Sequence, residues 1–245
     1  MKKTRRILSV DWDYFFPDAE VYDWGHSESR GLFYEIIWQT RVANRNLITG
    51  AKVLDDYRPS VPKNFWSKVL ANKPVLFVGD SHVHIWDRLT KNLFTTVVSL
   101  DAHHDCGYKN GQSHVDCSNW GLWGLITGRI QSFHLYYPEW RDGKEEDLRP
   151  IVLEYDFHRN YGLPSPEEYD EVFICRSGVW TPPWFDHSFQ EFVDVSGLDK
   201  KLVDELAWKV RSPSTIEEAT KLADTLSKAL QLHERAKSKS HHWKE

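Results

Sequence analysis

The chain has 245 residues, 40% hydrophobic and 27% charged, enough for one domain with a sizeable core and too mixed for a disordered or low-complexity protein. A formal net charge of -5 argues against a general nucleic-acid binder, which needs a basic field. Cys106, Cys117 and Cys175, with no Cys-x-x-Cys spacing, exclude a disulfide scaffold. No stretch nears the roughly 20 apolar residues of a membrane span. The basic start is followed only by Ile7-Leu8-Ser9-Val10 before Asp11, too short for a secretory signal, so a cytoplasmic location is expected. Aromatics make up 14% of the chain, with twelve Trp, which predicts a ring-rich core and pocket walls.

In chain order, residues 6–10 predict a buried strand and residues 32–41 carry apolar side chains at helical spacing. Residues 74–78 and 93–100 predict two further buried strands, with a short helix over 84–90 between them. Asp116-Cys117-Ser118 opens a helix over 119–127, and another strand is expected at 130–137. Residues 143–149 read as a charged loop, 151–155 as a weaker strand and 171–175 as a strong one. Helices over 183–193 and 215–233 follow, and 237–245 reads as a frayed polar tail. Near-continuous apolar strands alternating with helices predict an α/β fold, a three-layer, mostly parallel sheet flanked by helices, in one domain spanning residues 1–236.

Three of these strands run straight into acidic or histidine residues. The first gives Asp11-Trp12-Asp13, the second Gly79-Asp80-Ser81-His82-Val83-His84, the third Asp101-Ala102-His103-His104-Asp105. In open parallel sheets ligands bind beyond the carboxyl ends of the strands, so the three clusters are expected to meet at one edge. Four carboxylates (Asp11, Asp13, Asp101 and Asp105) cannot all ionise there uncompensated, whereas two divalent cations cancel them. His82 and His103 supply neutral nitrogen donors, each held by an acceptor on its second ring nitrogen. His84 competes with His82 for that place. The mixed donor set suits Mn, Zn, Fe or Co better than Mg or Ca.

Asp101-Ala102-His103-His104-Asp105 resembles the Asp-Ala-His-x-Asp motif of the ureohydrolases, the arginase and agmatinase superfamily. Ser9-Val10-Asp11-Trp12-Asp13 resembles their Ser-x-Asp-x-Asp motif, and Gly79-Asp80-Ser81-His82 their Gly-Gly-Asp-His segment with one residue inserted. Asp11-Trp12-Asp13-Tyr14-Phe15 is similar to a strand of an uncharacterised arginase-like family. The resemblance implies an arginase/deacetylase-like fold and two metal ions, manganese preferred. His82, Asp101, Asp105 and Asp11 would hold one ion, and His103, Asp101, Asp11 and Asp13 the other. It further implies a bridging hydroxide as nucleophile and hydrolysis of a planar, non-peptide C–N bond of guanidino or amide type in a small molecule. The Asp-x-Asp strand comes first here, a permuted order relative to arginase. No counterpart appears of the loops by which arginase grips an amino acid, which argues against arginase activity itself.

Around this set, His114 is a candidate proton shuttle or a plain loop histidine. Asn119 is within reach of a pocket. Arg176, at a strand end, either clamps an anionic substrate group or pairs with a structural Asp. Trp12, Trp180 and Trp184 either wall a pocket or pack the core, Trp180 being the substrate-contact candidate. Rival readings are a binuclear phosphoesterase, which lacks here its Asn-His and Gly-His-x-His pieces, and a non-catalytic binding protein with a structural metal. A homo-oligomer is compatible with the sequence; no nucleic-acid or membrane partner is expected.

Overall fold

A computed structural model describes residues 4–17, 38, 58–107, 114–144 and 147–241. Among these residues seven strands form one sheet: β1 (Thr4–Asp11), β2 (Val75–Gly79), β3 (Phe94–Leu100), β4 (Ser132–Tyr137), β5 (Phe157–Tyr161), β6 (Glu171–Cys175) and β7 (Lys200–Leu202). Their order is β5-β4-β3-β1-β6-β2-β7, and every pairing is parallel. Successive side chains of a strand point to opposite faces. Leu8 and Val10 of β1 accordingly join a core with Phe65, Trp66, Phe189 and Phe192, while Ile7 joins a second core with Trp120, Leu122, Leu125 and Phe133. The first core is roofed by α1 (Phe65–Val69) and α3 (Asp186–Val195), the second by α2 (Trp120–Ile126) and the 3-10 helix His82–Arg88. That is a three-layer α/β arrangement. Each large apolar side chain buried this way contributes about 1.5–3 kcal/mol.

The central strands lie where the sequence places them. The outer ones differ. Residues 151–155 are not a strand: Pro150–Glu154 is a 3-10 helix whose first residue lacks an N–H for any ladder, and the strand follows as β5. β5 and β7 are sheet edges with half-exposed, polar sequences, so neither carries the apolar run that marks a strand covered on both faces. The helix expected at 84–90 opens earlier, where Ser81 Oγ accepts from Val83 N. The span 183–193 divides into a 3-10 turn, Pro183–Phe185, and α3. The last helix, α4 (Ile216–His241), includes residues 237–241, expected as tail, while 242–245 lie outside the described residues. The helix expected at 32–41 also lies outside them, apart from Trp38. No helix among the described residues is long and apolar enough to cross a membrane.

β1 is the pivot for function. The chain leaves it for β2 on one side and returns as β3 on the other, which creates the crevice at the carboxyl ends where ligands of such sheets bind.

Candidate metal centre

Asp11 ends β1 and Asp13 sits in the following 3-10 turn, Trp12–Phe15, whose first free N–H groups are capped by Asp11 itself: Asp13 N donates to Asp11 Oδ1 at 3.1 Å. Trp12 between them packs on Phe15, Phe16, Phe189 and Phe192, so the odd side chains reach the crevice and the indole fills the core. Beyond β3 the same logic repeats. Asp101 Oδ1 accepts from His103 N at 2.7 Å, and Asp13 Oδ1 accepts from Ala102 N at 3.3 Å, stitching the two turns together. The Ala102 carbonyl accepts from the buried Arg141 Nε at 2.7 Å. Asp105 adopts φ 48, a left-handed conformation that costs a non-glycine residue roughly 1–3 kcal/mol. Gly121 N donates to its carbonyl at 2.9 Å, an approach open to glycine because a Cβ there would lie 3.0 Å from that oxygen. His82, at the head of its 3-10 helix, lies over Phe173 of β6 with rings 12° from parallel and so bridges from β2 towards β1.

These turns converge. His82 Nδ1 lies 3.2 Å from Asp11 Oδ2, 3.1 Å from Asp101 Oδ2 and 2.8 Å from Asp105 Oδ2. His103 Nδ1 lies 2.8 Å from Asp13 Oδ2 and 3.8 Å from Asp101 Oδ1. The result is two triads, Asp11–His82–Asp101 and Asp13–Asp101–His103, each with its donor atoms within 4.8 Å of one another and Asp101 in both. Asp13 Oδ2, His82 Nδ1 and Asp101 Oδ2 are buried and, despite these contacts, have no hydrogen bond of acceptable geometry among the described residues. Buried polar atoms are normally hydrogen-bonded. Donors crowded together yet misaligned for one another fit a shared cation. His82 Nε2 lies 2.7 Å from Ser9 Oγ, the kind of partner that fixes a ligating imidazole's tautomer.

Electrostatics agree with the geometry. Burial, then the charge of Asp13, pushes Asp11 up to about 7. Burial and the neighbouring Asp105, Asp11 and Asp13 drive Asp101 well above the usual carboxylate range. Burial also acts against ionisation of Asp13, but the adjacent His103 outweighs it and holds this carboxyl low. For His82 burial disfavours the cation, and the carboxylates of Asp101, Asp105 and Asp11 crowded around it overcome that, raising the imidazole well above its ordinary value. Without a cation, the cluster retains protons.

Comparison with protein-family models, curated proteins and solved structures found no match. What the centre can do follows from its own donor set.

All six expected ligands, Asp11, Asp13, His82, Asp101, His103 and Asp105, are brought together. His84 instead pairs with Asp204 at 3.1 Å, which leaves His82 as the imidazole from this strand. Arg176 is not a substrate clamp: its buried guanidinium donates to Asp80 Oδ1, Asp186 Oδ2 and the carbonyls of Lys209 and Leu206. Asn119 is likewise committed, bonding the His114 carbonyl and Asp116 N, so it shapes the loop before α2 rather than meeting a substrate. His114 is exposed, and it is the backbone carbonyl that Asn119 holds; residues 108–113 of its loop lie outside the described residues. Trp184 packs against Trp38 in the core. Trp180, half-buried, lies 5.1 Å from His103 ring to ring, on the more exposed side of the centre. Trp120 escapes sequence reasoning as a functional residue, since a helix tryptophan carries no chemical signature. Ser9 enters it only as the first residue of the Ser-x-Asp-x-Asp resemblance, with no role assigned, although it stands two residues before Asp11 on the same face.

Proposed function

We propose that this chain is a binuclear, divalent-metal-dependent hydrolase of a non-peptide C–N bond, of guanidino or amide type, in a small molecule. The single observation that carries the reading is the buried Asp101 carboxylate shared by two ligand triads. Asp11, His82, Asp101 and Asp105 would hold one ion, and Asp13, His103 and Asp101, with Asp11, the other. When bound, such a pair supplies Lewis acidity and lowers the pKa of coordinated water towards neutrality. Imidazole and carboxylate together suit Mn, Zn, Fe or Co, and the likeness of the strand-end motifs to ureohydrolases favours manganese.

The protein's own groups do the rest. Ser9 orients His82, and the backbone N–H groups of Asp13, Ala102 and His103 fix carboxylates in one rotamer each, which preorganises the charge. His103 and Trp180 form the more open side, giving a flat substrate group a ring to lie against. The choice of a C–N bond rests on Asp101-Ala102-His103-His104-Asp105 and its resemblance.

The test is metal analysis of manganese-loaded protein followed by hydrolysis assays on guanidino, amide and phosphoester panels, with Asp101→Asn in parallel. Two ions per chain and C–N hydrolysis lost in the variant are expected. Phosphoester turnover alone would overturn the bond assignment, and bound metal without turnover in any panel would overturn the enzyme.

A further inference from the structure

We infer that Trp120 is a positioning residue that makes the His82 half of the centre the tighter cation site; this rests on the binuclear reading above. Trp120, wholly buried on α2, donates its indole N–H to Asp105 Oδ2 at 2.6 Å, and that same oxygen lies 2.8 Å from His82 Nδ1. Its ring also packs on His82 at 4.8 Å, opposite in kind to the parallel stack with Phe173 at 5.9 Å. One side chain therefore touches two prospective ligands of the same ion. A buried tryptophan N–H ordinarily finds some partner, so the bond by itself would be unremarked. Its setting makes the difference: the acceptor belongs to a residue in the left-handed region, and α2 is drawn against that residue through Gly121 N and the Asp105 carbonyl.

The chemistry of the donor matters. A buried carboxylate needs hydrogen-bond donors to stay ionised. An arginine or lysine would supply them with a positive charge that repels the incoming ion. An indole N–H stabilises the anion with no net charge and leaves the electrostatic pull on a cation intact. With Ser9 on His82 Nε2, the inner donors are held before any ion arrives. Of the two imidazoles, His82 is 1% exposed, whereas His103 is 8% exposed and faces the half-buried Trp180; the carboxylates do not divide this way, Asp105 being 7% and Asp13 0% exposed. The inner imidazole is the better desolvated, and Ser9 and Trp120 brace it together with Asp105.

The experiment is calorimetric titration of the full chain with Mn2+, comparing wild type, Trp120→Phe, Asp105→Asn and the double variant. Phenylalanine keeps a ring against His82 and removes only the donor. Expected are two binding steps in wild type, with the tighter one weakened about 10–100-fold in Trp120→Phe and the weaker one changed less than about threefold. In the Asp105→Asn background the Trp120→Phe effect should disappear, because the bond it removes acts through that carboxylate. Equal weakening of both steps, or a loss that persists without the Asp105 carboxylate, would overturn the inference while leaving the binuclear reading standing. Wild-type protein that binds no Mn2+ would overturn both. Should Trp120→Phe not fold, the wild-type indole N–H resonance of Trp120 is followed by NMR during addition of Zn2+: a shift complete at the first equivalent supports the assignment, and no shift through two equivalents overturns it.

Discussion

Two buried charged clusters lie at the same edge of the sheet, and they are built on opposite principles. Around β6, Asp80, Asp186, Arg176 and Arg211 form a balanced network: Arg176 Nε meets Asp80 Oδ1 at 2.6 Å, Arg211 Nη2 meets Asp186 Oδ1 at 2.6 Å, and Arg176 Nη1 reaches Asp186 Oδ2 at 3.2 Å. Arg211 also donates to the Gly178 and Thr181 carbonyls, pinning the turn that carries Trp180. Across the crevice four aspartates face two imidazoles, and the strongest charge influences on Asp11, Asp13, His82 and Asp101 come from one another, His103 and Asp105. The first cluster is neutralised by the chain. Among the described residues the second has no such guanidinium partners, which supports the proposed cation site. Burial of charge is common to both clusters; the source of the balancing charge is what separates them.

The contrast is broken most forcefully by removing one acid from each cluster. Asp186→Ala strands Arg211 and Arg176 without their shared carboxylate and should cost about 3–5 kcal/mol in urea denaturation, with the metal stoichiometry unchanged. Asp101→Asn should behave oppositely. Without metal it relieves crowding among Asp105, Asp11 and Asp13, so the variant should be at least as stable as wild type. Next in size is the response to Mn2+. At a hundredfold excess over its dissociation constant the ion should stabilise wild type by about 2.7 kcal/mol and leave Asp101→Asn unmoved. A variant that gains as much as wild type would place the ions elsewhere.

Acidity sharpens the same comparison. Asp11 is raised from its ordinary 3.8 to about 7, so its neutral form stabilises the metal-free fold fully below the ordinary value, and that contribution is lost as pH rises through about 7. Asp101 is raised too and acts in the same direction, while the lowered Asp13 matters only in acid below its ordinary value. The melting temperature of metal-free protein should therefore fall between about pH 4 and pH 7, and saturating Mn2+ should flatten the slope because the ion replaces the protons. A metal-free melting temperature that climbs across this window would contradict the electrostatics of the centre. The smallest effect belongs to His84→Gln. It breaks a part-exposed pair with Asp204, should cost less than about 1 kcal/mol and should leave Mn2+ affinity as it was, separating His84 from His82.

How much of this was legible beforehand depended on burial. β1, β2, β3 and β6 announce themselves because strands covered on both faces are apolar throughout. β5, with Phe157-His158-Arg159-Asn160-Tyr161, and β7, with Lys200-Lys201-Leu202, sit at the edges where one side meets water, and their sequences resemble loops. The six crowded donors were legible because few residue types bind cations and all of them follow buried strands directly. Arg176 was not, since a strand-end arginine reads identically whether it faces a ligand or Asp80. Trp120 owes its importance to a distance across the fold, which no local pattern encodes, and Ser9, though it stands in the Ser-x-Asp-x-Asp segment, shows its tie to His82 only in three dimensions.

Sharing of Asp101 between two cations is the claim on which the rest stands, and low-temperature EPR of protein loaded with two equivalents of Mn2+ addresses it directly. A carboxylate bridge predicts the broad, exchange-coupled spectrum of a manganese pair, replaced in Asp101→Asn by the six-line signal of isolated ions. Six-line spectra from wild type and variant alike would contradict it.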